Sequence, residues 1–255
     1  MFDPMEFEID EPEKVVYVVG IGPGDVYYLT QEARNVLEHA DAICGYKLYL
    51  DLIEPEFPCE EYYSTGMTKE IDRCRWALEK ANTGRRVVMV CSGDAGVYGM
   101  AGLIYELAQQ YPPIEIHVVP GITAAMSGAA VLGAPLIHDF AVISLSDLLT
   151  PLDKIMTRVE LAAQGDFVLC FYNPASKKRT DYLRQACERI LRHRSADTPC
   201  GYVRNIGREG EQATVLTLAE LAQAQVDMFT TVFVGNSQTK LINGKLVTPR
   251  GYKNV

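Results

Sequence analysis

Cys91-Ser92-Gly93-Asp94-Ala95-Gly96-Val97-Tyr98-Gly99-Met100 follows an apolar, β-branched run at residues 86–90 and precedes a segment, 101–109, with Leu103, Ile104, Leu107 and Ala108 at helical spacing. The stretch reads as a strand-to-helix turn, and open α/β sheets bind ligands at the carboxyl ends of their strands. Gly93, Gly96 and Gly99 let the backbone approach a bound molecule closely. Asp94 adds a fixed negative charge, which repels phosphate and holds a cationic ligand. A plainer reading stands beside this one: Asp94 caps the helix and the glycines only make the turn.

Upstream, residues 14–19 form a predicted first strand ending in Gly20-Ile21-Gly22-Pro23-Gly24-Asp25. This resembles a dinucleotide fingerprint but departs from it. The third glycine comes too early for G-x-G-x-x-G, and Pro23 removes an amide that would cradle pyrophosphate. The predicted second strand, 40–44, ends in Gly45-Tyr46-Lys47, without an acid for a ribose. A nucleotide-dependent oxidoreductase remains an alternative resting on that glycine loop. Thr30 is placed to cap a helix over 31–39. Residues 48–65 read as irregular, with Tyr46, Tyr49, Tyr62 and Tyr63 either packing that segment or lining a cleft for a flat ligand. A helix over 69–82 closes at Gly84.

Downstream, the strand Glu115–Val119 leads into Pro120-Gly121-Ile122-Thr123 and a helix of small residues, including Gly128, Ala129 and Ala130. Such a helix suits close packing or ligand approach. A strand at 141–145 is followed by a polar, proline-ended edge, 146–151, where a domain boundary is expected, giving domains 14–146 and 147–255. The second half continues with a helix at 153–163, a strand at 166–172 and a helix running from 173 to 194. Strands at 199–203, 213–216 and 229–234 follow. Asn243-Gly244 between two short apolar runs is a type I′ hairpin signal, which simple βαβ repetition does not produce. The fold class is therefore α/β in two α/β domains, with a mainly parallel first sheet and a mixed second sheet.

The 255 residues carry a net charge of −9 and a pI near 5.0, which argues against a nucleic-acid or anionic-membrane surface. The acidic residues 1–14 lack the apolar core of a signal peptide. The uncharged span 118–137 is long enough to cross a membrane, but its prolines and glycines divide it into strand, turn and helix. Seven cysteines, an odd number without a C-x-x-C pair, fit a reducing cytoplasm and no metal site.

Taken together, GIGPGD at 20–25, SGDAGVYGM at 92–100 and PGIT at 120–123 resemble the tetrapyrrole (corrin) methyltransferases that use S-adenosylmethionine, over nearly the whole chain. LGAPLIHDF at 132–140, SLSDLLTP at 144–151, FYNPASKKR at 171–179 and VTPRGY at 247–252 are similar to the branch that methylates precorrin-3B at C17. That branch contracts the ring to precorrin-4. The resemblance implies a tetrapyrrole methylase fold, a homodimer, and S-adenosylmethionine folded in a cleft between the two domains. Pro23, Gly93, Asp94, Ala95 and Tyr98 would form one wall, Thr123 and Ala124 a second, and Tyr172, Asn205, Thr230 and Thr231 a third.

A polycarboxylate ring calls for local cations, and Lys177, Lys178, Arg179, Arg204, Arg208 and Arg250 are the candidates. Ring contraction removes a hydroxyl proton and calls for a positioned acid or base. Asp25, His138, Asp139, Ser146 and Asp147 are candidates, although His138 also reads as structural and Asp147 as a helix cap. Methylation at another ring position such as C11, or a non-catalytic tetrapyrrole carrier, are the competing expectations within this ligand class.

Overall fold

Valine and isoleucine dominate the strands of the first half, and the topology explains why. The computed structural model describes residues 14–176 and 178–253. Its first unit ends at Thr123 and alternates β1 (Val15–Gly20), α1 (Gln31–Glu38), β2 (Ala42–Tyr46), α2 (Lys47–Ile53), β3 (Glu61–Thr65), α3 (Glu70–Ala81), β4 (Arg86–Cys91), α4 (Ala101–Ala108) and β5 (Glu115–Val119). The sheet is wholly parallel, in the order β3-β2-β4-β1-β5. Helices cover both faces of such a sheet, so both sides of each central strand are apolar. Val16, Val18, Val87 and Met89 pack with Leu78 and Ile104 of α3 and α4. Val19, Ile43, Val88 and Val90 pack with Leu37, Leu50 and Ile53 of α1 and α2. Thr30 caps α1 as expected, its hydroxyl accepting from Ala33 N at 3.1 Å.

Residues 48–65 are more regular than their sequence suggests. They contain most of α2 and the edge strand β3, which among the described residues pairs with β2 alone. An edge strand needs no continuous apolar run, and EYYST has none. The tyrosines pack rather than line a cleft: Tyr63 stacks on Trp76 with centroids 4.7 Å apart, and Tyr46 meets Tyr49 edge-on at 5.2 Å.

The second unit begins at Ala124. It comprises α5 (Ala124–Leu132), β6 (Gly133–Ala134), β7 (Phe140–Ser144), α6 (Leu152–Gln164), β8 (Val168–Tyr172), α7 (Tyr182–Ile190), β9 (Pro199–Arg204), β10 (Gln212–Thr217), α8 (Leu218–Leu221), β11 (Thr230–Val234), β12 (Lys240–Ile242) and β13 (Lys245–Val247). Its main sheet runs β10-β9-β11-β8-β7, with β7 parallel to β8 and the other pairs antiparallel. A mixed sheet is as expected, but the hairpin that signals it lies in a separate three-stranded sheet, β12-β13-β6, with β12 antiparallel and β6 parallel to β13. Asn243 and Gly244 both adopt positive φ, 49° and 75°, as a type I′ turn requires. Helices α6, α7 and α8 cover one face of the sheet and α5 the other. A side chain at Gly128 would lie 2.9 Å from Ile206 Cδ1 and 3.0 Å from the Phe233 ring. The small residues of α5 therefore serve close packing on the sheet.

Two expectations are corrected. The boundary falls at 123/124 rather than after residue 146, because β7 forms a full ladder with β8 and belongs to the second sheet. The helix expected over 173–194 spans only Tyr182–Ile190. Asn173 adopts φ 53° ahead of Pro174, and Ser176 and Arg179 exchange both backbone hydrogen bonds, which makes a clip instead of a helical turn.

Gly121 leaves no room for a side chain, since an added Cβ would sit 2.1 Å from Gly93 O. Gly121→Ala is expected to lower unfolding free energy by about 2 kcal/mol or more in urea titration. Gly102→Ala, in α4 with nothing within 4 Å of the new methyl, should raise it by up to ~1 kcal/mol.

Candidate functional site

In the first unit, the loops leaving the carboxyl ends of β1, β4 and β5 meet backbone against backbone. Ile21 N donates to Cys91 O at 2.9 Å, Gly22 N to Gly93 O at 3.0 Å, and Gly93 N to Gly22 O at 2.6 Å. Gly22 and Gly93 hold φ of 75° and 70°. The amides of Ile21 and Gly22 are thus turned into the protein, and Pro23 has none, so these three positions cannot cradle a pyrophosphate. This removes the physical basis of the dinucleotide reading.

Asp94 ties two of the three loops together, its own and the one after β5, while the loop after β1 is held by the Gly22–Gly93 backbone pair. Its Oδ1 accepts from Gly96 N at 2.8 Å and Val97 N at 3.1 Å, and its Oδ2 accepts from Gly121 N at 2.9 Å. The plainer reading of Asp94 as a cap of the turn is therefore correct as far as it goes. Its negative charge persists beside an exposed, side-chain-free Gly96 and an exposed Tyr98 with φ 56°. Such a turn suits a cationic ligand. Below it, burial pushes the Cys91 thiol up to about 11, and the uncharged sulfur accepts from Met100 N at 3.4 Å. Pro23 and Ala95 are buried, and Thr123 is half-buried. Asp25 is exposed and caps the short 3₁₀ turn Val26–Tyr28, its Oδ1 accepting from Tyr27 N at 2.8 Å.

In the second unit, a polar cluster gathers where the parallel strands β7 and β8 end. Asn173 Nδ2 donates to Ser144 Oγ at 3.0 Å, and Ser146 N donates to the same oxygen at 3.2 Å. Tyr182 Oη donates to Asp147 Oδ2 at 2.8 Å, and Arg179 Nε lies 3.7 Å from Asp147 Oδ1. Tyr172 Oη accepts from Ala125 N at 2.8 Å, in the first turn of α5 that Ala124 opens. Sequence reasoning missed Ser144, Asn173 and Tyr182. The signal for Tyr182, a tyrosine at the first residue of a helix, is carried by the three-dimensional clip that precedes it.

The structure does not bring the five acid–base candidates together. His138 and Asp139 are exposed at the amino end of β7, with Asp139 N donating to His138 Nδ1 at 3.0 Å. Ser146 and Asp147 follow its carboxyl end, separated from the first pair by roughly 13 Å of extended strand. Thr230 and Thr231 are buried within β11, and the Thr230 hydroxyl donates to Asp227 Oδ1 at 2.9 Å. Asn205, at φ 53°, donates its amide to Phe229 O at 3.1 Å.

Among the candidate cations, Arg179 is largely buried against Asp147, Ser176 and Leu145 O. Arg204 Nε donates to Asp227 Oδ2 at 2.7 Å. Partial burial opposes ionisation of Asp227, but the bonds from Arg204, Thr230 and the Phe229 amide prevail and hold its carboxyl below the usual range. Arg208 is half-buried, Lys178 and Arg250 are exposed, and Lys177 lies outside the described residues. Among the described residues, no group of three or more His, Cys, Asp or Glu is placed to hold a metal, and no helix is long and apolar enough to cross a membrane.

A parallel α/β unit with an acidic glycine turn and a mixed-sheet α/β unit define a small-molecule enzyme scaffold distinct from the dinucleotide-binding folds. The chain belongs to the tetrapyrrole (corrin/porphyrin) methylase family, which it matches over residues 15–222. It is 44% identical over 236 residues to a probable cobalt-factor III C(17)-methyltransferase of Salmonella typhimurium, covering 92% of this chain and 98% of that protein. It is also 44% identical to the cobalt-factor III methyltransferase of Priestia megaterium, covering 92% of this chain but only 45% of that longer protein. The crystal structure of the methyltransferase CobJ superposes with a TM-score of 0.85 at 37% identity, covering 92% of this chain and 99% of that one. A cobalt precorrin-4 methyltransferase, CbiF, at 22% identity and a TM-score of 0.74, shares the fold.

Asp94→Ala leaves the amides of Gly96, Val97 and Gly121 without their acceptor, and a loss of about 1–3 kcal/mol in unfolding free energy is expected from urea titration. In acid, the contribution of Asp227 is present above its ordinary pKa of 3.8 and lost as pH falls through its lower folded value. Arg204→Ala, which removes the leading favourable partner, should flatten the stability-against-pH curve below pH ~4.

Proposed function

We propose that the chain is an S-adenosylmethionine-dependent methyltransferase of cobalamin (corrin) biosynthesis. It methylates C17 of precorrin-3B, or of the cobalt-containing equivalent, and contracts the ring to precorrin-4. The observation that carries this reading is the Asp94 turn, a fixed carboxylate among Cβ-free backbone, supported by the identity to C17-methyltransferases over most of the chain. When bound, S-adenosylmethionine supplies an electrophilic methyl group on a positively charged sulfur, and its ammonium adds a second positive charge. Both charges favour an acidic turn over a phosphate cradle.

Gly93, Asp94 and Ala95 would hold the donor, with Pro23, Tyr98 and Thr123 beside them in the first unit; Ala124, Tyr172 and Asn205 are carried as further candidates on the family resemblance. Thr230 and Thr231 are weaker members of the set, being buried in the sheet. The residues around the donor need to orient a ring carbon at attack distance rather than move a proton. Exposed Lys178 and Arg250, with Arg208, are suited to the ring's carboxylates. Arg179 and Arg204 already carry acidic partners, Arg179 with its side chain 14% exposed and Arg204 with 46%, so Arg204 is the one placed to share its charge with a substrate carboxylate. We place the protein in the cytoplasm, in keeping with seven cysteines that are all free, and infer a homodimer from the family resemblance.

Incubation of the purified protein with S-adenosylmethionine and a trimethylated precursor, with and without cobalt, should give S-adenosylhomocysteine and a contracted, 17-methylated ring by mass spectrometry and NMR. A methyl group on another carbon, such as C11, or ring binding without turnover would overturn the assignment. Arg250→Ala should raise KM for the ring about 2- to 5-fold, the effect of an exposed charge, and leave KM for S-adenosylmethionine unchanged.

A further inference from the structure

Resting on that reading, we propose that Asp147 takes the proton released in ring contraction and that Tyr182 is its positioning residue, with Arg179 fixing the opposite side of the carboxylate. The clamp is visible in the geometry. Tyr182 Oη donates to Oδ2 at 2.8 Å, and Arg179 Nε stands 3.7 Å from Oδ1. Arg179 is itself held, with Nε donating to Ser176 Oγ at 3.2 Å and Nη1 to Leu145 O at 3.4 Å, inside the Ser176–Arg179 clip. The Asp147 side chain remains 34% exposed while that of Arg179 is 14% exposed, so the carboxylate reaches out of the cluster and the guanidinium that orients it does not. Leu148 and Leu149, the next two residues, are 71% and 98% exposed. They set apolar surface beside the carboxylate, which suits the face of a macrocycle.

The other four candidates lack this arrangement. Asp25 caps a turn, His138 and Asp139 lie at the far end of β7, and the Ser146 hydroxyl would itself need a base. Charge balance calls for one proton acceptor. Breaking the S–CH3 bond and forming C–CH3 makes the ring one unit more positive. In contraction, the substrate O–H bond breaks and its electron pair becomes the C=O π bond. The C–C pair migrates to the neighbouring electron-poor carbon, and the proton passes to Asp147 and then to water. One proton leaves for each methyl group gained, and no oxidant or reductant is consumed. Tyr182 keeps its own proton throughout, since its hydrogen bond to Asp147, with some burial, raises its phenol above the usual value.

The test compares S-adenosylhomocysteine release with formation of the contracted ring, read from its visible spectrum and carbon NMR, in wild type, Tyr182→Phe, Asp147→Asn and Asp147→Ala. Wild type should give the two products one to one; no S-adenosylhomocysteine from wild type would sink the methyltransferase reading itself. Tyr182→Phe should keep methyl release within about 3-fold and lose contraction by about 10-fold or more, so that a methylated, uncontracted ring accumulates. Asp147→Asn should lose contraction by about 100-fold or more, and formate should restore it in Asp147→Ala. Contraction that stays in step with methylation in both Tyr182→Phe and Asp147→Asn overturns the proposal, as does a parallel fall in both products with a lowered melting temperature, the mark of a purely structural clamp.

Discussion

One carboxylate, accepting three backbone amides from two loops, organises the first unit. Asp94 fixes its own turn through Gly96 and Val97 and ties that turn to the loop after β5 through Gly121. The bonds form only because the three loops approach closer than side chains allow. A Cβ at Gly20 would lie 2.7 Å from Gly93 O, and one at Gly121 would lie 2.1 Å from the same atom. Glycine here is a packing requirement between backbones, and the exposed turn it creates is a by-product that a ligand can use. The same charge serves folding and, in the function proposed, recognition. A substitution at Asp94 disturbs both, and a loss of ligand affinity there has to be corrected for lost stability before it is read as a lost contact.

Most of what is local was legible in the sequence. Thr30 and its helix, the glycine turn after β4, and the Asn243-Gly244 hairpin each obey a rule that acts within four or five residues. The hairpin does signal a mixed sheet, but the one it builds is the small β12-β13-β6 sheet. The main sheet of the second unit is mixed through the parallel β7–β8 pair, which the hairpin does not announce. Edges and boundaries were not legible. β3 is an edge strand with a polar, aromatic sequence, so it lacks the apolar run that marks a buried strand. β7 looked like a last strand of the first half because a polar segment and Pro151 follow it. Its ladder partner, β8, lies beyond an entire helix, and pairing over that distance leaves no periodic trace in either segment.

The basic cluster at 177–179 shows the same limit in electrostatic form. On sequence, three adjacent cations inside the helix expected from 173 read as partners for a polycarboxylate ring. In the structure that helix begins later, at Tyr182, and Arg179 turns inward to Asp147, Ser176 and Leu145. An arginine counted as a substrate cation becomes a strut that fixes an acid. Arg204 has a similar fate with Asp227. In a chain with nine more acidic than basic charges, cations find acidic partners readily. Exposure therefore selects substrate-facing cations better than residue type does, and Arg250 and Lys178 meet that criterion, as does Arg204 in spite of its pairing with Asp227.

Strand polarity orders the acid–base candidates in the same physical way. Parallel neighbours bring their carboxyl ends to one edge, and β7 and β8 are the parallel pair of an otherwise antiparallel sheet. Residues that leave those two ends converge: Ser144 with Asn173, Leu145 with Tyr172, and Asp147 with Arg179 and Tyr182. His138 and Asp139, only a few residues earlier, enter at the opposite end and share none of these partners. Nearness in sequence thus misled where direction of travel along one strand decided. A carboxylate at the converging end gains a phenol and a guanidinium as fixed neighbours, whereas one at the entering end faces solvent and has no such frame. Among the described residues, the converging ends of β7 and β8 therefore give Asp147 a fixed frame, and the parallel register of the two strands determines where that frame is.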